Sequence, residues 1–344
     1  MLSLCKLAAG EGQIGTREVP EPSPGPGDVL LRVEAAGICG TDMQIAKWAP
    51  RMARRIVPPR VLGHEASGVV VQVGENVRRV KVGDRISLES HIFCGECHQC
   101  RTDRVHLCIA TQYPGIDIEG AFAPYVAVPE CIAWVHPEEI PFQTAAIFEP
   151  FGIAVHACTL GRGVAGLPVL VNGCGPIGLM AVATARALGA SVVIAADPIA
   201  KRRAVAEQLG AAVVLDPSAH DVAEEVKKHT GGQGVEVAIE FSGTEAGFRT
   251  CLAALTKGGE FRLAAAPAFP IEMDFTRWLL QCPLIYTIHG RRIWKDWDTL
   301  WDLYKSGRVD LAPVVSHVMP LSEGARAFDL IRDGEALKPI LIPE

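Results

Sequence analysis

Four cysteines crowd into one short stretch of this chain, Cys94, Cys97, Cys100 and Cys108. Four thiolates on one loop can close tetrahedrally on a zinc ion and leave no coordination position open, so this spacing reads as a structural metal site. His98 and His106 lie inside the loop but are surplus to four sulfurs, and they read as surface residues. A metal that does chemistry needs three protein ligands and one labile position. Cys39, in Gly37-Ile38-Cys39-Gly40-Thr41-Asp42, offers a thiolate beside the Thr41 hydroxyl; His64-Glu65 offers an imidazole and a carboxylate; Glu149, just before Pro150, offers a further acid. His91 follows Glu89-Ser90 and precedes the cysteine loop, which places it near the same centre.

A second chemical signature is Gly173-Cys174-Gly175-Pro176-Ile177-Gly178. It follows an apolar strand and opens a helix. The first glycine permits a tight turn, the second lets the backbone approach a pyrophosphate, and the third lets helix and strand pack closely, while the helix N-terminus presents free N–H groups to the anion. Asp197 ends the next strand at the spacing of an acid that binds the adenosine ribose, which favours NAD over NADP. Arg202 and Arg203 follow it, and a 2′-phosphate could exploit them.

The elements that must position these groups fall into two rhythms. Over the first ~150 residues, short branched runs alternate with Gly/Pro punctuation, with strands expected at Val29–Val33, Gly68–Val73, Arg85–Leu88 and Tyr125–Val128. From about Pro168, strands at Val169–Val171, Val192–Ala196, Ala212–Leu215, Val235–Glu240 and Phe261–Ala264 alternate with helices, the pattern of a doubly wound parallel sheet. Trp294, Trp297 and Trp301 stand at helical spacing and read as core packing; a last strand, Pro339–Pro343, is placed to rejoin the N-terminal domain.

Length and composition fit this picture. The chain has 344 residues, enough for two cores, with 49% hydrophobic and 21% charged residues. A net charge of −6 and the lack of a basic stripe argue against nucleic-acid and membrane-surface binding. The uncharged run from Gly163 to Ala185 is broken by Pro168, Asn172 and Pro176, so it reads as a buried strand and helix and not as a membrane span. Eleven cysteines, four of them in one loop and no signal peptide ahead of them, point to a reducing, cytoplasmic setting.

Together the Gly37–Asp42, Gly63–Glu65, four-cysteine, Gly120-Ala121-Phe122-Ala123 and Gly173–Gly178 segments, in this order, resemble the zinc-dependent medium-chain dehydrogenase/reductase family over the whole chain. Within it, Gly83–Arg85 through Ser90-His91, Glu149–Gly152 with Ala154–His156, and Gly290-Arg291 look like the threonine dehydrogenase branch. The resemblance implies an α/β fold: a β-rich, GroES-like catalytic domain over residues 1–153 and 294–344, and a Rossmann domain over 154–293. It implies one catalytic and one structural zinc per subunit, NAD, and a homotetramer or homodimer. It makes Cys39 and His64 catalytic zinc ligands, and Glu65 and Glu149 acidic partners, one or both of which bind the metal as substrate comes and goes. It puts Ile177, Asp197 and Arg202, and the backbones of Ala264, Ala265, Ala266, Ile288 and His289, against NAD.

Two departures bear on substrate. Threonine dehydrogenases carry a histidine three residues after the Thr41 position, as the outer member of a proton relay, and an asparagine where this chain has Ile153; here the relay position is Gln44, which cannot titrate. The relay then ends at water or borrows a group such as His91. The expected activity is oxidation of a secondary alcohol in a small polar metabolite, L-threonine or a related amino alcohol first. A polyol or aminocyclitol dehydrogenase is the alternative, and a cofactor-binding protein without dehydrogenase activity a remote one. Arg51, Arg54, Arg55 and Arg60 follow the Thr41 motif; they read as a solvated loop or as a recognition element for an anionic substrate group.

Overall fold

The computed structural model describes residues 1–137, 139–265, 267 and 270–344. They divide into two compact units, Met1–Glu149 with Val315–Glu344, and Pro150–Val314.

The first unit is built on a sheet whose spatial order is Val315–Pro320, Lys338–Ile342, Asp28–Gly37, Glu65–Val73, Arg85–Leu88 and Ala133–Val135, with Tyr125–Pro129 also paired to Asp28–Gly37. Alternation of apolar residues buries Leu31, Val33, Val70, Ile86 and Val128 in one core with Phe122. The C-terminal strand does rejoin this sheet: Ile340 lies opposite Gly37 in an antiparallel pair. Leu2–Lys6, not anticipated from the sequence, pairs with Ile14–Glu18 and Arg60–Val61 in a small sheet of its own. Its Lys6 is fully buried, and the ammonium donates to the carbonyls of Gly10 and Gly12, so a charged residue sits inside a strand because local carbonyls receive it.

The second unit is the doubly wound sheet, in the order Val213–Leu215, Val192–Ala196, Pro168–Asn172, Val235–Glu240, Leu255–Leu263 and Leu284–Thr287, every pair parallel. Strand Leu255–Leu263 starts six residues before the expected Phe261, running through Lys257-Gly258-Gly259, with a register shift against Val235–Val237 that absorbs the glycines. Because the order reverses between Pro168–Asn172 and Val235–Glu240, a crevice opens at the carboxyl ends of these strands, where ligands bind in such sheets.

Residues 294–314, expected with the catalytic domain, lie in the second unit. Asp296, fully buried, explains this. It receives Arg292 in a two-oxygen ion pair, with closest approach 2.6 Å, and its Oδ2 is 2.9 Å from His156 Nδ1, while Arg292 also donates to Thr159 Oγ1 at 2.7 Å. Helix Lys295–Lys305 is thereby clamped to Phe148–Thr159. The tryptophan stripe is partly core: Trp297 is fully buried, whereas Trp294 precedes the helix in a left-handed conformation and is half-buried, like Trp301.

Removing one partner of a buried charge pair leaves the other uncompensated. Asp296→Asn should therefore cost about 3–5 kcal/mol in chemical denaturation followed by fluorescence. A loss below about 1 kcal/mol would show that the clamp lies elsewhere.

Candidate active site and metal centres

The four loop cysteines converge. Their sulfurs all lie within 4.8 Å of one another, with separations of 3.5 Å for Cys97–Cys100 and Cys94–Cys108 and 3.9 Å for Cys94–Cys100. Zinc–sulfur bonds of about 2.3 Å place the corners of a tetrahedron about 3.8 Å apart, so a zinc ion fits with little movement. Backbone N–H groups already point at the sulfurs, from Cys94 and Ala110 to Cys108 and from Cys97 to Cys94. Peptide N–H groups of Cys100 and Ile109 pull the Cys97 thiol down to about 6, toward the thiolate that metal binding requires. His98 is outside the cluster, its Nε2 within 3.1 Å of Arg104.

A second group is Cys39, His64 and Glu65, again with ligand atoms within 4.8 Å. The sheet brings them together. Gly37 pairs with Glu65 in the antiparallel ladder, so the end of one strand meets the start of the next, and the ligands sit just outside it. Cys39 caps helix Gly40–Ala46, and Asp42 on that helix accepts from the Cys39 N–H at 2.9 Å. His64 is reached through Gly63, whose φ of 94° and whose closeness to the Phe122 ring leave no room for a side chain.

This cradle fits a metal. Glu65 Oε1 is buried without a hydrogen-bond partner, an expensive arrangement unless something else satisfies the site. Asp42, fully buried, stands 3.9 Å behind His64 Nδ1, the place of a carboxylate that orients a metal-binding imidazole. Burial opposes a charge on His64, yet Cys39, Asp42 and Glu149 together raise it to about 10. Without a divalent cation the site is neutralised by protons.

Glu65 itself is paired. Lys338, completely buried at the head of the C-terminal strand, contacts the Glu65 carboxylate and donates to the Ile38 carbonyl at 2.8 Å. Neither Lys338 nor the supporting role of Asp42 was anticipated from the sequence. A lysine opening the apolar run Lys338-Pro-Ile-Leu-Ile was the one available signal, and nothing local says which carboxylate it meets.

A third group, Glu89, His91 and Glu149, has all its ligand atoms within 4.8 Å, and all three residues are buried. Glu149 rides on the first turn of helix Phe148–Thr159 and accepts from Ser90 Oγ at 2.5 Å. Ser90 Oγ is 3.2 Å from His91 Nδ1, which lies 2.6 Å from Glu89, and the His91 ring packs edge-on against Tyr113 at 4.9 Å. Glu149 acts electrostatically on both His64 and Glu65, so the two groups are neighbours. Thr41 lies on the same helix as Asp42, half-buried, and Gln44 is exposed one turn on.

Arg55 is tied to Asp117 through both oxygens at 2.8 and 2.7 Å and lies over the Tyr113 ring, and Arg60 pairs with Glu119 at 3.0 Å. Arg51 and Arg54 are exposed and have no carboxylate partner among the described residues.

In the second unit the glycine loop follows strand Pro168–Asn172. Gly173 has φ 93°, Gly175 is the N-cap of helix Pro176–Ala187, and Pro176 takes the first helical position. Any Cβ at Gly178 would fall 1.9 Å from the Gly173 carbonyl oxygen, so only glycine lets the helix lie this close. Ile177 is half-buried in the helix's first turn. Asp197, buried at the end of Val192–Ala196, accepts from the N–H groups of Cys174 and Ile199 at 2.8 Å, and Arg202 approaches it to 3.6 Å. Ala264 and Ala265 follow strand Leu255–Leu263, both N–H groups donating to the Glu240 carbonyl; Ile288 and His289 follow Leu284–Thr287. All occupy the carboxyl-end rim of one sheet. Ala266 lies outside the described residues.

Residues 25–138 match the alcohol dehydrogenase GroES-like domain and residues 176–306 match the zinc-binding dehydrogenase domain. An L-threonine 3-dehydrogenase from Symbiobacterium thermophilum is 42% identical over all of this chain and 98% of its own. This chain belongs to the zinc-dependent medium-chain dehydrogenase/reductase family. It is an enzyme, an oxidoreductase with the mixed α/β architecture of that family. Among solved structures it is similar to an alcohol dehydrogenase from Thermus sp. ATN1, with TM-score 0.91 and 28% identity over the full length of both chains. It is also similar to a putative zinc-binding dehydrogenase from Sinorhizobium meliloti bound to NADP, with TM-score 0.90 and 32% identity over 99% of each chain. No helix among the described residues is long and apolar enough to cross a membrane.

The raised His64 gives a pH prediction for this medium-chain dehydrogenase. With a pKa of about 10 when metal-free, His64 carries a proton at pH 8 that must leave before the imidazole can ligate. Zinc added at pH 8 to protein whose four-cysteine loop is already filled should release at least one proton, read as a calorimetric heat that varies with buffer ionisation enthalpy. Affinity should rise with pH up to about 10. Buffer-independent heat would contradict the assignment.

Proposed function

We propose that this enzyme oxidises the hydroxyl of a small polar secondary alcohol with NAD, using zinc held by Cys39, His64 and an acidic partner, with L-threonine or a related amino alcohol as the first candidate substrate. The observation that carries the reading is the Cys39–His64–Glu65 cradle, its His64 and Glu65 buried and Glu65 Oε1 unsatisfied, beside Glu149, in a chain that also carries the glycine loop. Glu65 is the carboxylate grouped with Cys39 and His64, and Glu149 is the neighbour that can take its place, since Lys338 can hold Glu65 back as an ion pair. The second zinc belongs to Cys94, Cys97, Cys100 and Cys108. When bound, zinc polarises the substrate oxygen and lowers the hydroxyl's pKa, and the nicotinamide accepts the hydride.

The chain's own residues do the rest. Thr41 accepts a hydrogen bond from the reacting hydroxyl and passes the proton outward through its own O–H. Gln44 cannot titrate, and so it cannot serve as the relay's terminal base. The hydrogen-bonded group of Glu149, Ser90, His91 and Glu89 holds the buried titratable side chains that can receive that proton instead. On the cofactor side, a buried anionic Asp197 repels a 2′-phosphate and accepts from ribose hydroxyls, and Arg202 is already drawn to it, which supports NAD over NADP. A cytoplasmic homotetramer or homodimer belongs to the same reading.

Relatives named as L-threonine 3-dehydrogenases support the amino alcohol. Gln44 and Ile153 favour a polyol or aminocyclitol as the second reading, and the uncompensated Arg51 and Arg54 favour an anionic group on either substrate.

NADH formation over a panel of L-threonine, 2-amino alcohols, polyols and hydroxylated acids should show turnover with at least one class, and none with any would remove the proposal. Cys39→Ser should cut turnover at least 10³-fold while NADH still binds, and should retain one zinc per chain where the native protein holds two. Cys97→Ser should lose the other zinc, so a native protein with a single zinc would break the two-site reading. Neutralising Arg51 and Arg54 should raise KM about tenfold for an acidic substrate and leave a neutral polyol unchanged; equal effects on both would discard the anion-recognition role.

A further inference from the structure

The second unit carries a cavity of about 370 Å³ that none of the chemistry above uses. Its lining includes Leu255 and Lys257 at the start of strand Leu255–Leu263, Gln233 just ahead of Val235–Glu240, and Pro283 just ahead of Leu284–Thr287. These are amino-terminal ends. In an all-parallel sheet they lie on the rim opposite the glycine loop and Asp197, so the cavity is separate from the cofactor crevice.

Its charge is lopsided. Four cations line it, Lys227, Arg249, Lys257 and Arg277, against one carboxylate, Asp274. Asp274 Oδ1 accepts from the N–H groups of Thr276 and Arg277 at 2.9 and 3.1 Å as the cap of helix Phe275–Gln281, which orients this carboxylate along the helix start. Lys227 and Arg249 are paired with Glu224 and Glu245 within their own helices, in exposed contacts that exchange readily for a better anion. Lys257 and Arg277 have no carboxylate partner among the described residues. Part of the wall is tied down: Gln281 Nε2 donates to the Leu255 carbonyl at 2.7 Å, and Trp278, Leu252 and Met273 are partly buried against the core behind. With Glu224 and Glu245 still paired, the four cations exceed the three nearby carboxylates by one charge. Release of Lys227 and Arg249 to a bound anion would make this concavity, with the exposed Lys257 and Arg277 at its lining, a local positive focus in a chain of net charge −6.

We propose that this cavity is a second ligand site, for a small multivalent anion of the polyphosphate or polycarboxylate kind, with Lys257 and Arg277 as its principal contacts. Guanidinium supplies a planar fork for two oxygens and the ammonium a mobile point charge, a combination suited to several anionic oxygens on one small body.

The test is calorimetric titration of the zinc-replete protein, with saturating NADH to keep the cofactor crevice filled, using inorganic tripolyphosphate and, separately, citrate. One-to-one binding of at least one of them is expected, weakening as salt is raised. Lys257→Glu with Arg277→Glu should weaken it at least tenfold. Arg326→Glu with Arg332→Glu, the same charge change on the exposed face of helix Gly324–Arg332, should leave it within twofold. Tighter tripolyphosphate identifies a phosphate ligand, and tighter citrate a carboxylate one. No saturable binding of either anion at millimolar concentration overturns the proposal, as does an equal loss in the control pair, which would reduce the effect to net charge. If the reversed pair melts early, Lys257→Gln with Arg277→Gln takes its place, with at least a threefold loss expected and an unchanged affinity overturning the site.

Discussion

The active region depends on a charge imbalance held away from water. Cys39, Asp42, Glu65, Glu89 and Glu149 bring five acidic groups together around two imidazoles, and the one fully buried ammonium among them is Lys338. Burial pushes the Asp42 and Glu65 carboxyls above their ordinary range, and the same negative neighbours draw His64 up to about 10. Isolated carboxylates in such surroundings are costly, and either protons or a divalent cation must relieve them. Lys338 pairs with Glu65 and His91 with Glu89, and the negative charge left at the Cys39–His64 end is what a metal would meet. The affinity for zinc and the spread of proton affinities are thus two expressions of one electrostatic deficit.

That deficit exists only because the sheet register is kept. Gly37 sits opposite Glu65 on one side and Ile340 on the other, so three segments from the beginning, the middle and the end of the first unit's sequence meet at one glycine. A Cβ at Gly37 would lie 2.7 Å from Glu65 Oε2 and 3.3 Å from Lys338, which makes the missing side chain part of the site. A slip of one residue in a strand moves every side chain to the opposite face. Here it would carry Glu65 away from His64 and leave Lys338 buried without a partner.

What could be read in the sequence follows from this. The cysteine loop and the glycine loop are local: their ligand geometry is encoded within fifteen and six residues, and spacing alone exposes them. Strands Arg85–Leu88, Val192–Ala196 and Val235–Glu240 have the expected bounds because branched residues and punctuation coincide there. Leu2–Lys6 was hidden by a buried lysine, and the start of Leu255–Leu263 by a Gly-Gly pair that suggests a turn. Lys338 was illegible for a different reason: its partner lies some 270 residues away and is chosen by antiparallel pairing, which no local pattern records. The placement of 294–314 turned on Asp296, an acid on a helix that looks solvated until Arg292 and His156 enclose it.

The same charge distribution bears on which alcohol the proposed function favours. An amino alcohol with a carboxylate brings an ammonium and an anion close to its hydroxyl. The region around the metal cradle places carboxylates at Glu89 and Glu149, and the segment after Thr41 offers guanidinium groups without a carboxylate partner among the described residues, at Arg51 and Arg54. A neutral polyol makes use of neither kind of charge. Gln44 acts on a separate quantity. In the proposed relay it removes a titrating group from the outer end of the path without altering which substrate charges are complementary. The departure at Gln44 therefore bears on turnover and its pH dependence as well as on the choice of relative, whereas the charges at Arg51 and Arg54 concern what the enzyme holds, and the two need not point to the same relative.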